Sequence, residues 1–288
     1  MKRGICLTSL YPEAIEDSGL LIELFHKVCG TGIFDCVEFY FNGTETEEKR
    51  IGYELKKSGL SSVFLGGYPM KRDGIDISAE SELRRKESVE MCKALYRHAR
   101  RMRVDKMLIL SGPAWKEKDE EGIIRQTQKS LLEIGEMIMP TGPEVTLEYF
   151  NDMGEPWLAV GDIPMVRKIF SSMNLLPVGI TFDTSHTAQL KTDIIEAFVA
   201  LKPWIGHVHL ANSVSIDSEN PLFGDKHPLF EIENGDFPLE KIKEIYEKLE
   251  SKGLLEKVDI CSFEIISRGN EEQYFEKMCK EAAYVWNI

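Results

Sequence analysis

Residues 179–186 read Gly-Ile-Thr-Phe-Asp-Thr-Ser-His, and the rest of the chain falls into place around them. An apolar run over residues 176–182 stops at Asp183, and a histidine follows three positions later. As a buried parallel strand, this segment carries a carboxylate at its carboxyl tip and an imidazole, His186, in the next loop. Both groups are donors for a divalent metal ion. A lone Asp-x-x-His also arises as a turn cap or a loop ion pair, so the pair needs company. Three further apolar runs supply it: residues 144–148 (Glu-Val-Thr-Leu-Glu), 205–209 (Ile-Gly-His-Val-His) and 260–264 (Ile-Cys-Ser-Phe-Glu) each end in a ligand-type residue. A charged group closing a buried strand is costly unless it is paired or metal-bound. Four such endings point to one shared site.

Ahead of those runs the pattern predicts strands at 4–10, 36–41, 61–65 and 106–110. Helices are predicted at 19–28, 46–57, 79–102, 120–139, 164–173, 192–201, 238–252 and 271–285. In the first of these, Leu20, Leu21, Leu24 and Val28 share one face. Strand-then-helix alternation argues for a parallel sheet, and eight units argue for closure into a (β/α)8 TIM barrel. The rival is an open doubly wound sheet, whose dinucleotide-binding form is disfavoured because no Gly-x-Gly-x-x-Gly follows the first strand. No linker or repeat divides residues 1–288, so a single domain is expected. In such a barrel the carboxyl ends of the strands share the active face. The ends of strands five to eight are neighbours there and can converge on one ion.

Composition narrows the function. With 288 residues, 43% of them hydrophobic and 29% charged, the chain can bury a sizeable core. Its 35 basic and 48 acidic residues give a formal charge of −13, which argues against a nucleic-acid partner. The six cysteines show no Cys-x-x-Cys spacing, and Cys6, Cys36 and Cys261 lie in apolar runs where a thiol acts as a small hydrophobe. No disulfide framework is expected at this size. The opening Met-Lys-Arg-Gly-Ile-Cys-Leu enters a strand without a signal peptide's apolar segment, and no run reaches membrane-spanning length. A cytoplasmic protein with a small-molecule partner and no membrane is the expectation. A homo-oligomer is compatible with the sequence but not specified by it.

Between Glu148 and Glu264 the strand-end residues resemble those of the xylose-isomerase-like barrel superfamily, which includes sugar isomerases and epimerases and the apurinic endonucleases. The epimerase branch holds one metal with a Glu, an Asp, a His and a Glu from strands five to eight. The resemblance implies that Glu148, Asp183, His209 and Glu264 are the metal ligands, that Glu148 and Glu264 double as the acid/base pair, and that His186 contacts substrate. The endonuclease branch uses three zinc ions and adds an Asp-x-His after strand seven, matched by Asp225-Lys226-His227. That makes His186, Asp225 and His227 candidate ligands of a second metal. The histidines which that branch carries after strands three and four are replaced by Gly66-Gly67-Tyr68 and Ser111-Gly112-Pro113. The arginine that epimerases place beyond the strand-seven histidine has no counterpart in Ala211-Asn212-Ser213-Val214-Ser215.

His207 and His209, two apart on one strand, point the same way. His209 is expected to be the ligand and His207 a hydrogen-bonded barrel residue, with Glu38 a supporting carboxylate. Trp115, Tyr149, Phe150 and Trp157 fall on loops of the active face, and Trp115 and Tyr149 are expected to touch substrate. The function expected is a divalent-metal-dependent isomerase or epimerase of a sugar or sugar-like polyol, working through an enediolate. Three carboxylates and an imidazole favour Mn²⁺ or Mg²⁺, with Zn²⁺ or Co²⁺ also fitting. Two alternatives stand beside it: a metal-dependent hydrolase, phosphodiesterase or lyase, and a barrel that binds a sugar without turning it over.

Overall fold

The computed structural model describes residues 1–116, 119–138, 140–149, 158–173 and 177–288. Its strands are β1 (Lys2–Cys6), β2 (Cys36–Phe39), β3 (Ser61–Leu65), β4 (Lys106–Ile109), β5 (Glu144–Glu148), β6 (Val178–Asp183), β7 (Ile205–Leu210) and β8 (Ile260–Phe263). They pair in chain order, all parallel, and β8 closes on β1. The result is a (β/α)8 barrel in one domain.

Helix limits follow local chemistry. Asp17 accepts from the Gly19 and Leu20 amides to start Ser18–Thr31, and Gly32 ends it with φ 66°. Thr44 and Glu47 cap each other reciprocally at the start of Glu45–Ser58. Ser81 accepts from the Arg84 amide, so the helix expected from residue 79 begins at Glu82 instead and runs to Arg101. Each such helix lays an apolar stripe on the outside of the barrel; for Ser18–Thr31 this is Leu21, Leu24, Phe25 and Val28.

Inside the barrel, alternate strand residues face the axis. A Cβ on Gly4 would stand 1.9 Å from Ser262 Oγ, so only glycine lets β1 approach β8 there. Between β6 and β7 the register shifts after Ile180, passing over Gly206 and setting His207 beside Thr181 and His209 beside Asp183. That irregularity levels the ligand-type residues of two strands. At the amino end Lys106 is buried, with Asp259 Oδ2 3.0 Å away and Glu144 as a second partner.

Three short helices replace expected strand or loop. The first strand stops at Cys6, and Leu7–Leu10 turns helical. Residues 66–69, expected as loop, lead into Gly67–Asp73, and His186 sits not in a loop but in Thr184–Gln189. One or two turns are too short to show a 3.6-residue apolar period, which is why the sequence pattern passes over them. The helix expected over 120–139 ends at Gly135, and residue 139 lies outside the described residues. All six cysteines are unpaired thiols. Among the described residues no helix is long and apolar enough to cross a membrane.

Candidate metal centre

Glu148 ends β5, Asp183 ends β6, His209 lies in β7, and Glu264 follows β8 with its amide bonded to Leu210 O. Each offers one ligand atom, and the four atoms lie within 4.8 Å of one another. His209 Nδ1 is 2.8 Å from Glu264 Oε2, 3.3 Å from Glu148 Oε1 and 3.7 Å from Asp183 Oδ2. Barrel convergence thus gathers the tips of four neighbouring strands at one point.

Asp183 and His209 are aimed from behind. Asp183 caps the helix Thr184–Gln189: its Oδ1 accepts from the Ser185 amide (2.6 Å) and the His186 amide (3.1 Å), which leaves Oδ2 turned to the axis. His209 donates Nε2–H to Glu38 Oε2 at 3.1 Å, so its Nδ1 faces the cluster. The other Glu38 oxygen takes His207 Nε2 at 2.8 Å, and His207 Nδ1 lies 3.1 Å from Thr181 Oγ1. A carboxylate behind a ligating histidine fixes its ring and raises its basicity.

The donor atoms themselves are unsatisfied. Glu148 Oε1, Asp183 Oδ2 and His209 Nδ1 are buried and make no hydrogen bond. The 2.8 Å approach of His209 Nδ1 to Glu264 has a hydrogen bond's length without its angle. Buried polar atoms left this way are destabilising, by about 1–3 kcal/mol each. A hard divalent ion among three carboxylates and one imidazole would satisfy them together, so the residues present fit such an ion.

Charge is concentrated here. Burial alone would raise the Glu264 carboxyl, but His209 and His227 outweigh it and hold it at about 2. Burial would lower the His209 imidazole, yet the Glu38 carboxylate, the Cys6 thiol and Glu264 push it well above the ordinary histidine range. His207, by contrast, is held below that range by burial.

A second group adjoins the first. Asp225 Oδ1 stands 2.5 Å from His227 Nε2 and 3.2 Å from His186 Nε2. His227 turns Nδ1 to Glu264 at 3.5 Å, and its own φ of 39° puts it in the left-handed region, a strained conformation for a non-glycine residue. Burial would lower His227, but Glu264 and Asp225 raise it to about 10, while the two imidazoles hold Asp225 well below the usual carboxylate range. Asp183, His186 and His227 also bring ligand atoms within 4.8 Å of one another. Of the three residues expected around a second ion, all meet, with the Asp225 carboxylate between the two histidines.

A cavity of about 160 Å³ opens over both groups. Its polar lining includes Glu148, His186, His209, Asp225, His227 and Glu264, with Tyr68 and Lys71, and its aliphatic lining is Leu65, Leu108, Leu110 and Ile266. The two aromatic residues expected to contact substrate are not among its lining. Tyr149 follows Glu148 and so faces the opposite side of its strand, fully buried, with its hydroxyl 3.1 Å from Thr187 Oγ1. Trp115 donates Nε1–H to Ser78 O at 3.0 Å. Phe150 and Trp157 lie outside the described residues. Sequence reasoning did not single out Ser9 and Lys71, and it took Tyr68 only as a missing histidine. Ser9 Oγ lies 3.4 Å from Glu264 Oε1 and 3.1 Å from Tyr68 Oη, and Lys71 Nζ is 3.7 Å from Asp225 Oδ2. Their signal was position, just past the carboxyl ends of β1 and β3, where barrel sites form.

Residues 28–280 match the family model described as xylose isomerase-like TIM barrel, and the chain belongs to that family. Among solved structures it is similar to a D-tagatose 3-epimerase-like protein, with a TM-score of 0.74 and 18% identity over 100% of this chain and 98% of that one. The 3-keto-D-glucoside 4-epimerase YcjR from E. coli gives a TM-score of 0.70 and 16% identity, with 100% of both chains covered. An IolI protein with a bound zinc atom gives 0.70 and 14%, covering 99% of this chain and 98% of that one. At such identities the likeness speaks to the fold. No curated protein matches the chain by sequence.

Proposed function

We propose that this protein is a divalent-metal-dependent isomerase or epimerase of a sugar or sugar-like polyol, with Glu148, Asp183, His209 and Glu264 as the ligands of one ion. The observation that carries it is the set of buried, unbonded ligand atoms turned to one point, with Glu38 bracing His209 from behind. The epimerases among the similar structures support it. The donor set favours Mn²⁺ or Mg²⁺, and accommodates Zn²⁺ or Co²⁺.

An ion bound there would supply Lewis acidity, polarising a carbonyl and the hydroxyl on the adjacent carbon and so acidifying the C–H of that hydroxyl-bearing carbon. The chain's own residues then move the proton. Glu148 and Glu264 come from β5 and just past β8, with β6 and β7 between, and reach the centre from two sides. One carboxylate takes the proton from one face of the carbon and gives an enediolate. The other must enter the step as the carboxylic acid, protonated from solvent; it gives that proton to the opposite face, which inverts the centre and leaves the pair with exchanged protonation states. Ser9, bonded to Tyr68, donates to Glu264 Oε1 and holds that carboxylate in orientation. His186, over the cavity, is placed to contact a substrate hydroxyl.

A second reading, a two-metal hydrolase or lyase, is favoured by the adjoining Asp183, His186 and His227 group. One ion at saturation supports isomerisation; two ions about 3.5–4 Å apart support hydrolysis. The test of the first reading is solvent deuterium uptake, followed by NMR, across ketoses, aldoses and inosose-type polyols. Wild type should turn a substrate over with deuterium entering the carbon acid. Glu148→Gln and Glu264→Gln should each lose turnover by at least about 10²-fold, and one of them should keep C–H exchange. Turnover by wild type with no deuterium uptake overturns proton transfer by the two glutamates.

A further inference from the structure

Tyr68 stands at the start of the helix Gly67–Asp73, just past the carboxyl end of β3, and lines the cavity together with Glu264. Its ring lies nearly parallel to that of Tyr40, 6° apart with centroids at 6.4 Å, which helps to set its plane. The residue is 37% exposed, but its hydroxyl end turns inward to buried Ser9, 3.1 Å away, and Ser9 Oγ is 3.4 Å from Glu264 Oε1. Desolvation of that end, with the Glu264 charge adding to it, holds the phenol above its ordinary range, so it remains an O–H. Glu264 as a carboxylate can only accept, so the one hydroxyl hydrogen of Ser9 is spent on it. Ser9 then accepts the one hydroxyl hydrogen of Tyr68, and among the described residues Tyr68 makes no other hydrogen bond. What Tyr68 has left for a ligand is an oxygen lone pair, an acceptor and not a donor.

We propose that Tyr68 is a substrate-binding residue that accepts a hydrogen bond from the substrate hydroxyl one carbon beyond the reacting carbon, and so selects against compounds in which that hydroxyl is missing or masked. The inference rests on the proposed function for the ion and the reacting carbon, and goes beyond it in naming a specificity residue and the group it reads. Glu264 works at the reacting carbon, and Tyr68 stands one serine further along, so the group it meets belongs to the neighbouring carbon. A hydroxyl there extends the chain of donors from substrate to Tyr68 to Ser9 to Glu264. An ether oxygen in the same place faces an oxygen with no hydrogen to give, and neither is satisfied.

Three small hydroxyketones test this on the Mn²⁺-loaded protein: 3,4-dihydroxybutan-2-one, its 4-deoxy analogue 3-hydroxybutan-2-one, and its 4-methyl ether. Each has one carbonyl with one adjacent hydroxyl to chelate, and none closes a stable ring. Dissociation constants come from the relaxation that bound Mn²⁺ confers on the ligand protons in NMR. Wild type should bind the diol at least about tenfold more tightly than either analogue. Tyr68→Phe should cut both ratios to about threefold or less. Ser9→Ala frees the Tyr68 hydrogen to turn to the ligand, so the ether should bind that variant at least about threefold more tightly than it binds wild type. A merely structural role for Ser9 or Tyr68 gives no such gain. Equal binding of diol and deoxy analogue by wild type, an unchanged preference in Tyr68→Phe, or no gain for the ether in Ser9→Ala overturns the inference and leaves the proposed function standing. Failure of all three ligands to bind, or binding that His209→Ala does not weaken, overturns the proposed function and the inference with it.

Discussion

Glu38 accepts from His207 and His209 at 2.8 and 3.1 Å, and no part of it is exposed to solvent. Burial would raise its carboxyl, yet the two imidazoles hold it far below the ordinary carboxylate range, which favours its charged form. That charge fixes which nitrogen His209 shows to the cluster. Glu38→Gln keeps the shape but offers an amide N–H to one of two rings that both need an acceptor. Metal affinity should fall by about 10–100-fold, measured by calorimetric titration with Mn²⁺. Thr181→Val, which touches His207 and not His209, should change it little. Equal affinity in Glu38→Gln and wild type would mean that His209 is not oriented from behind. The sequence marked Glu38 only as a supporting carboxylate, because its partner His209 stands 171 positions away and strand order alone brings them together.

The helix Glu271–Val285 and the segment that carries Asp225 and His227 are tied by Glu281, whose Oε1 accepts from the Phe230 and Glu231 amides at 3.1 and 3.2 Å. Its Oε2 is buried without a hydrogen bond. Burial pushes this carboxyl up from 4.5 to about 7, and the two amides offset it only in part. Between those values the folded chain holds a proton that the unfolded chain has released. The stability this group contributes is therefore complete below about pH 4.5 and is lost as pH rises through 7, by about 3 kcal/mol in all. Denaturant unfolding of wild type and Glu281→Gln from pH 4 to 8 isolates the effect. Wild type should lose ground to the variant as pH rises; a difference that stays flat would contradict the raised value. At this scale some elements could be taken straight from the sequence: residues 61–65, 144–148 and 271–285 have the same limits in the structure. The helices Leu7–Leu10, Gly67–Asp73 and Thr184–Gln189 could not, since Asp183 capping and barrel contacts form them rather than periodicity.

Across the molecule, strand-helix alternation was enough to give the closed barrel, and strand-end residue types were enough to bring Glu148, Asp183, His209 and Glu264 to one face. What alternation does not encode is the register. The shift past Gly206 sets His209 level with Asp183, and the Gly4–Ser262 approach sets how closely β1 meets β8. The cavity lining was hidden for another reason: Leu65, Leu108 and Leu110 are ordinary core residues in sequence and come to line the cavity only once the strands close. The proposed function depends on whether four strand tips share one cation. A crystal grown with Mn²⁺ and measured at the manganese absorption edge answers that directly. The expected anomalous map has a peak bonded to Glu148, Asp183, His209 and Glu264, with His209 coordinating through Nδ1 while Nε2 stays on Glu38. A map with no peak among these four side chains, or with manganese bound only elsewhere, would contradict the shared site.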